Sequence, residues 1–129
     1  YPIYVEPSDS AKFKKIRKDF ENDIEEDKTS VMMGVCRGKI SEGLDFSDRA
    51  ARTVIVVGIP YAVQYDPKVI LKQKYLDQKS LKPNFSLKGQ EWYQQEASRS
   101  VNQAIGRVIR HVNDYGLIIL LDERYGTQL

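Results

Sequence analysis

Cysteine is almost missing from this sequence. Cys36 is the single one among 129 residues, which excludes a disulfide framework and any metal or iron–sulfur site built from clustered thiolates. Histidine is equally scarce, and the lone His111 excludes a multi-histidine zinc site. No apolar run approaches the roughly 20 residues that a membrane-spanning helix needs. Charge of one sign is also lacking: 20 Lys and Arg against 18 Asp and Glu leave a formal net charge of +2, too little to argue for a nucleic-acid partner by itself. There is no internal repeat and no low-complexity tract. The chain opens on Tyr1-Pro2-Ile3 without a signal-like segment, and is expected to be part of something longer. The low thiol content fits a reducing compartment.

What remains is the composition of one ordinary globular domain over residues 1–129, with 41% hydrophobic and 29% charged residues. That length is small for a complete nucleotide-hydrolysing enzyme. Three continuous apolar runs, Val31-Met32-Met33-Gly34-Val35-Cys36, Thr53-Val54-Ile55-Val56-Val57-Gly58-Ile59 and Leu117-Ile118-Ile119-Leu120-Leu121, have the pattern of strands buried on both faces. Ile3-Tyr4-Val5 is a shorter β-type run. Phe13, Ile16, Phe20 and Ile24 recur at helical spacing after Ser8 or Ser10, either of which can cap the helix. Further helices are expected over residues 67–78 and about 90–112, separated by a polar loop over 79–88. Apolar strands alternating with amphipathic helices predict an α/β domain with a parallel sheet.

The stretch Gln103-Ala-Ile-Gly-Arg-Val-Ile-Arg stands out. On a continuous helix, Arg99, Arg107 and Arg110 share a narrow cationic stripe opposite Ala97, Val101, Ala104, Ile105, Val108, Ile109 and Val112. Guanidinium groups are planar, permanently charged forks that match phosphate oxygens. Gly106 beside them permits close approach to a ligand. For an isolated helix the ordinary reading of such a stripe is a solvated face. Residues 66–88 are also rich in lysine, with Lys68, Lys72, Lys74, Lys79, Lys82 and Lys88; they could follow a phosphate backbone, though a solvated surface is the commoner explanation.

Ligands of open parallel sheets gather beyond the carboxyl ends of the strands. The run leaving Cys36, Arg37-Gly-Lys-Ile-Ser-Glu-Gly-Leu-Asp-Phe-Ser-Asp48, concentrates glycine, serine and carboxylates at that edge. Asp45 could accept from ribose hydroxyls, and a strand-to-strand turn would use the same residue types. Gly34-Val-Cys-Arg-Gly38-Lys39-Ile40-Ser41 imitates a phosphate-binding P-loop but fails on count. Three residues separate its glycines instead of four, and Ile follows Lys. Nor is there an acidic box for magnesium: Asp122-Glu123 is followed by Arg124 and reads as the polar end of a strand. The chain has phosphate-reading arginines and no phosphate cradle.

Cys36-Arg-Gly-Lys-Ile-Ser-Glu-Gly-Leu-Asp-Phe-Ser-Asp48 resembles motif V of the superfamily 2 DNA helicases that carry an iron–sulfur domain, and Gln103-Ala-Ile-Gly-Arg-Val-Ile-Arg-His111 resembles their motif VI. Gly58-Ile-Pro-Tyr61, the opening Ile-Tyr-Val-Glu-Pro7 and the tail from Asp114 to Tyr125 fit as well, and the likeness extends over nearly the whole chain. Tyr65-Asp-Pro-Lys-Val-Ile-Leu-Lys72 and the segment from Gly89 to Gln103 most resemble a telomere-associated branch of the group. The resemblance implies the larger part of a second RecA-like motor domain, its P-loop NTPase-type sheet truncated. Arg107 and Arg110 would be arginine fingers, with Gln103 orienting the nucleotide or the attacking water. Gly43, Asp45 and Gly106 would lie toward the nucleotide, and Ser41 and Glu42 toward DNA. Arg37 and Arg52 would contact the DNA backbone or brace the motif V loop. Trp92 is expected to be a core anchor.

ATP and Mg2+ would be bound mainly by a first motor domain outside this chain, and a 4Fe–4S cluster would lie there too. The implied partners are that first domain and single-stranded or forked DNA, with no membrane. The implied setting is the nucleus, in DNA repair and telomere maintenance, and the chain alone would be inactive. The alternatives are a non-catalytic nucleic-acid-binding module and a scaffold that kept the fold.

Overall fold

A computed structural model describes residues 1–40, 46 and 48–127. The chain divides into two compact units. The first comprises Tyr1–Val54 and Gln103–Ile119, the second Ile55–Asn102 and Leu120–Leu129.

In the first unit, β1 (Ile3–Val5) lies parallel to β2 (Val31–Met33), with Tyr4 opposite Met32. The return between them is α1 (Ser10–Glu25). Its cap is Asp9, whose carboxylate accepts the Lys12 N–H at 2.7 Å, and not Ser8 or Ser10 as expected. Asp satisfies an orphan N–H at least as well as Ser. Of the expected apolar stripe Phe20 is buried, packed edge-on between Tyr4 and Phe46 with ring centroids 5.7 Å away on each side. Burial of such a side chain contributes about 1.5–3 kcal/mol. The acidic second half of α1 has a structural use: buried Asp23 accepts the Tyr4 hydroxyl at 2.6 Å. That bond, more than burial, pushes the Tyr4 phenol up to about 12.

The second unit is built on α2 (Pro67–Lys79) and α3 (Gly89–Ile105). Asp66 caps α2 by accepting from the Lys68 N–H at 2.8 Å, and Pro67 occupies the first turn, where its missing N–H is harmless. Val56, Ile59, Val69, Leu76, Ala97 and Val101 form the buried apolar set. Asp77 accepts the Gly89 N–H at 2.8 Å and so joins the end of α2 to the start of α3. A methyl group on Gly89 would sit 2.6 Å from the Gln73 carbonyl oxygen, so only glycine permits this approach. Tyr93 donates to the Ala62 carbonyl at 2.6 Å and stacks on Tyr61. Trp92 is half-buried on the first turn of α3.

β3 (Thr53–Val57) and β4 (Leu117–Leu121) form a second two-stranded sheet. The Leu117 N–H donates to Arg52 at one end, and the Gly58 N–H donates to Leu121 at the other. Start meets start and end meets end, so these strands also run in the same direction. The elements are those of an α/β domain with parallel strands flanked by helices. Among the described residues, however, the four strands pair as two sheets rather than one.

Three expectations change. The run 31–36 is a strand only over Val31–Met33, because the chain turns at Cys36 and Arg37, where the Gly38 N–H donates to the Val35 carbonyl. The strands are not covered on both faces by the described residues: Met33 is 51% exposed, Val57 77% and Leu117 56%. The helix expected over 90–112 stops at Ile105, where Gly106 and the β-branched Val108 and Ile109 weaken helix propensity.

Candidate functional site

The end of α3 determines how the two arginines of interest are presented. Gln103 is exposed on the last helical turn. Beyond Ile105 the backbone tightens: Arg107 N–H donates to Ala104 and Val108 N–H to Ile105, three residues back instead of four. Gly106, Arg107 and Val108 therefore form a turn, and Arg110 lies beyond it in irregular chain. The shared helical stripe is thus corrected. Arg99 remains on α3 and pairs with Glu96, while Arg107 and Arg110 sit on a separate loop.

That loop is anchored on both sides. Val108 is 3% exposed, with Gly116 packed so closely that a Cβ there would lie 2.8 Å from Val108 Cγ1. Arg110 Nη1 donates back to the Gly106 carbonyl at 2.9 Å, satisfying an acceptor that the terminated helix leaves open. The Arg110 N–H donates to Asp114 Oδ2 at 3.1 Å. Arg107 is half-buried, Arg110 exposed.

Asp114 is the hub of the site. Its side chain is fully buried. Besides Arg110, it accepts from Arg52 Nη1 at 2.9 Å and from the Tyr115 N–H at 2.9 Å. The Arg110 N–H does most to hold its carboxyl below the usual carboxylate range. Burial opposes it, and the Tyr115 N–H, the Arg52 guanidinium and the Asp48 N–H assist.

Arg52, half-buried where β3 begins, also donates to the Tyr115 carbonyl at 2.9 Å and lies 4.1 Å from the centre of the Tyr115 ring. Its bracing partners are Asp114 and Tyr115, and through them the loop that carries Arg110. Asp48, at the start of the short 3-10 turn Asp48–Ala50, pairs with His111 through Oδ1 and Nε2 at 2.9 Å.

Arg37, in the left-handed region at φ 66°, is exposed on the loop after β2. Glu6 organises that loop: its carboxylate accepts from the Val35 N–H at 3.0 Å and the Lys39 N–H at 2.7 Å. A Cβ on Gly38 would lie 2.6 Å from the same carboxylate. The segment that imitates a P-loop thus spends two backbone donors on an internal carboxylate, in agreement with its failed spacing. Ser41, Glu42, Gly43 and Asp45 lie outside the described residues.

Asp48, His111 and Asp114 carry potential ligand atoms within 4.8 Å of one another. They do not fit a metal ion: both Asp114 oxygens already accept from donors, one of them the Arg52 cation. The structure therefore gathers Arg52, Arg110, His111 and Asp48 around Asp114. Sequence reasoning singled out the arginines and missed the aspartates that hold them. The turn composition Asn113-Asp114-Tyr115-Gly116 was the available signal, since Asp in such turns bonds nearby backbone N–H groups.

Comparison with known proteins gives this geometry a family. The model of the helicase C-terminal domain matches residues 1–129. The regulator of telomere elongation helicase 1 homologue of Drosophila persimilis is 54% identical over 124 residues, 96% of this chain and 12% of the relative. Those of Drosophila sechellia and Drosophila melanogaster are each 52% identical over 124 residues, 96% of this chain and 13% of the relative. The chain thus spans about an eighth of the length of these curated relatives. It belongs to the helicase C-terminal domain family.

Proposed function

We propose that this chain is the C-terminal motor half of an ATP-dependent DNA helicase, and that it completes an ATP site whose phosphate cradle is supplied by a first motor domain elsewhere in the full-length protein. The observation that carries the reading is the anchored loop: two arginines three residues apart on a backbone held by buried Val108 between them and by Asp114 at the Arg110 N–H. Donors held in place before reaction stabilise developing charge without reorganising as it forms.

In this reading Arg107 and Arg110 neutralise charge on the transferred γ-phosphoryl group, an effect of about 10³–10⁵ in rate in related chemistry. Gln103 orients the nucleotide or attacking water. Gly106 allows the loop to approach the phosphates, and Gly43 and Asp45 face the nucleotide. Ser41, Glu42 and Arg37 meet single-stranded or forked DNA. Arg52 supports the arginine loop through Asp114. Mg2+ enters with ATP. A 4Fe–4S cluster needs about four thiolates, and Cys36, half-buried with its thiol pushed up by burial, is the chain's single thiol. The residues present do not fit that cluster, and no step here runs through it. The names of the relatives support a role in telomere elongation; the nucleus and DNA repair complete the proposal.

ATP turnover tests the division of labour. The isolated chain is expected to show no magnesium-dependent ATP hydrolysis under conditions where the full-length protein turns over. Reproducible turnover by the isolated chain would contradict the proposal.

A further inference from the structure

The pair of Asp48 and His111 is poorly explained by fold stability. Both side chains are about half exposed, and a solvent-exposed pair of this kind contributes little to stability. Asp48 adopts φ 53°, in the left-handed region that Asp tolerates better than most L residues. Its carboxylate meets His111, and its N–H faces Asp114, so both of its polar groups are directed at the same short segment.

The sequence positions of the partners give the pair its meaning. His111 directly follows Arg110. Asp48 ends the motif V run, three residues beyond Asp45. Asp114 holds the Arg110 backbone N–H, and Asp48 holds the side chain of His111, the next residue.

We propose that His111 and Asp48 form a strut, seated on Asp114, that ties the chain leaving motif V to the arginine loop and sets the orientation of Arg107 and Arg110. They are positioning residues and touch neither phosphate nor DNA. The inference rests on the arginine-finger reading above. It adds the device by which the state of motif V reaches the fingers.

The test uses the full-length protein with ATP and single-stranded DNA, and compares His111→Ala, His111→Gln and Arg107→Ala. Because His111 is exposed, neither substitution at that position should alter the thermal midpoint. His111→Ala is expected to lower DNA-stimulated kcat about tenfold, the scale of a small misplacement of a catalytic group, with KM for ATP changed less than about twofold. His111→Gln, whose amide can still donate to Asp48, is expected to recover about half of the lost kcat.

A kcat for His111→Ala close to that of the unmodified protein, a loss carried mainly by KM, or no recovery with His111→Gln would each overturn the strut. Arg107→Ala separates the two levels. If that variant loses turnover while His111→Ala keeps it, the strut alone fails. If Arg107→Ala keeps turnover, the finger reading fails and the strut with it.

Discussion

Replacing Arg107 by alanine in the full-length protein is expected to lower kcat for ATP hydrolysis by about 10³-fold or more, with nucleotide affinity within about threefold of the unmodified protein. The asymmetry follows from where the binding energy resides. A nucleotide cradled by a first motor domain keeps its ground-state contacts when a finger from the second domain is removed. The charge that develops on the phosphoryl group during transfer loses its counterion. Arg107→Lys should recover little, because an ammonium is a point charge and cannot place two parallel N–H donors on phosphate oxygens. Steady-state ATPase measurements with a parallel nucleotide-binding titration would resolve both quantities. A loss of affinity with kcat unchanged would make Arg107 a ground-state phosphate ligand. A normal kcat would remove it from the chemistry.

Alanine at Gly89 should destabilise the chain by about 1–3 kcal/mol, the usual range for overpacking a tight site. The added methyl group would meet the carbonyl oxygen, Cα and Cβ of Gln73 at 2.6–2.8 Å. Two of those atoms are backbone, so no side-chain rotation relieves the contact, and α3 must shift from α2. The shift would also lengthen the bond from the Gly89 N–H to Asp77. Gly126→Ala is the matched control: its methyl group would meet nothing within 4 Å, and its effect should stay within about 0.5 kcal/mol. Denaturant unfolding of both variants measures the contrast. Equal stability of the two would show that the helices yield more easily than their geometry implies.

Much of the fold was legible because its signals are local. Asp66-Pro67 announces the start of α2 by capping chemistry, and the five apolar residues of β4 announce a strand by composition. What escaped was set by contacts distant in sequence. Apolar continuity predicted strands covered on both faces, but a run of Val and Ile cannot report whether anything covers it. The helix pattern through Val108 and Ile109 continued past Gly106, and the periodicity of apolar residues hid the tightening that ends α3.

The site divides in the same way. Arg107 and Arg110 were readable as a motif. Their support depends on a carboxylate that accepts from Arg52, 62 positions away in sequence, and on Asp48 meeting His111 across 63. No spacing rule encodes such pairings. Glu6 is a further example: nothing about Glu6-Pro7 suggests that its carboxylate will gather the Val35 and Lys39 amides.

The most direct measurement is a structure of the full-length protein bound to ADP, Mg2+ and a planar or tetrahedral fluoride mimic of the transferred phosphoryl group. Guanidinium nitrogens of Arg107 and Arg110 are expected within about 3 Å of that mimic, with the Arg110 N–H still on Asp114. A mimic contacted only by the first motor domain, with both side chains directed elsewhere, would contradict the arginine-finger reading.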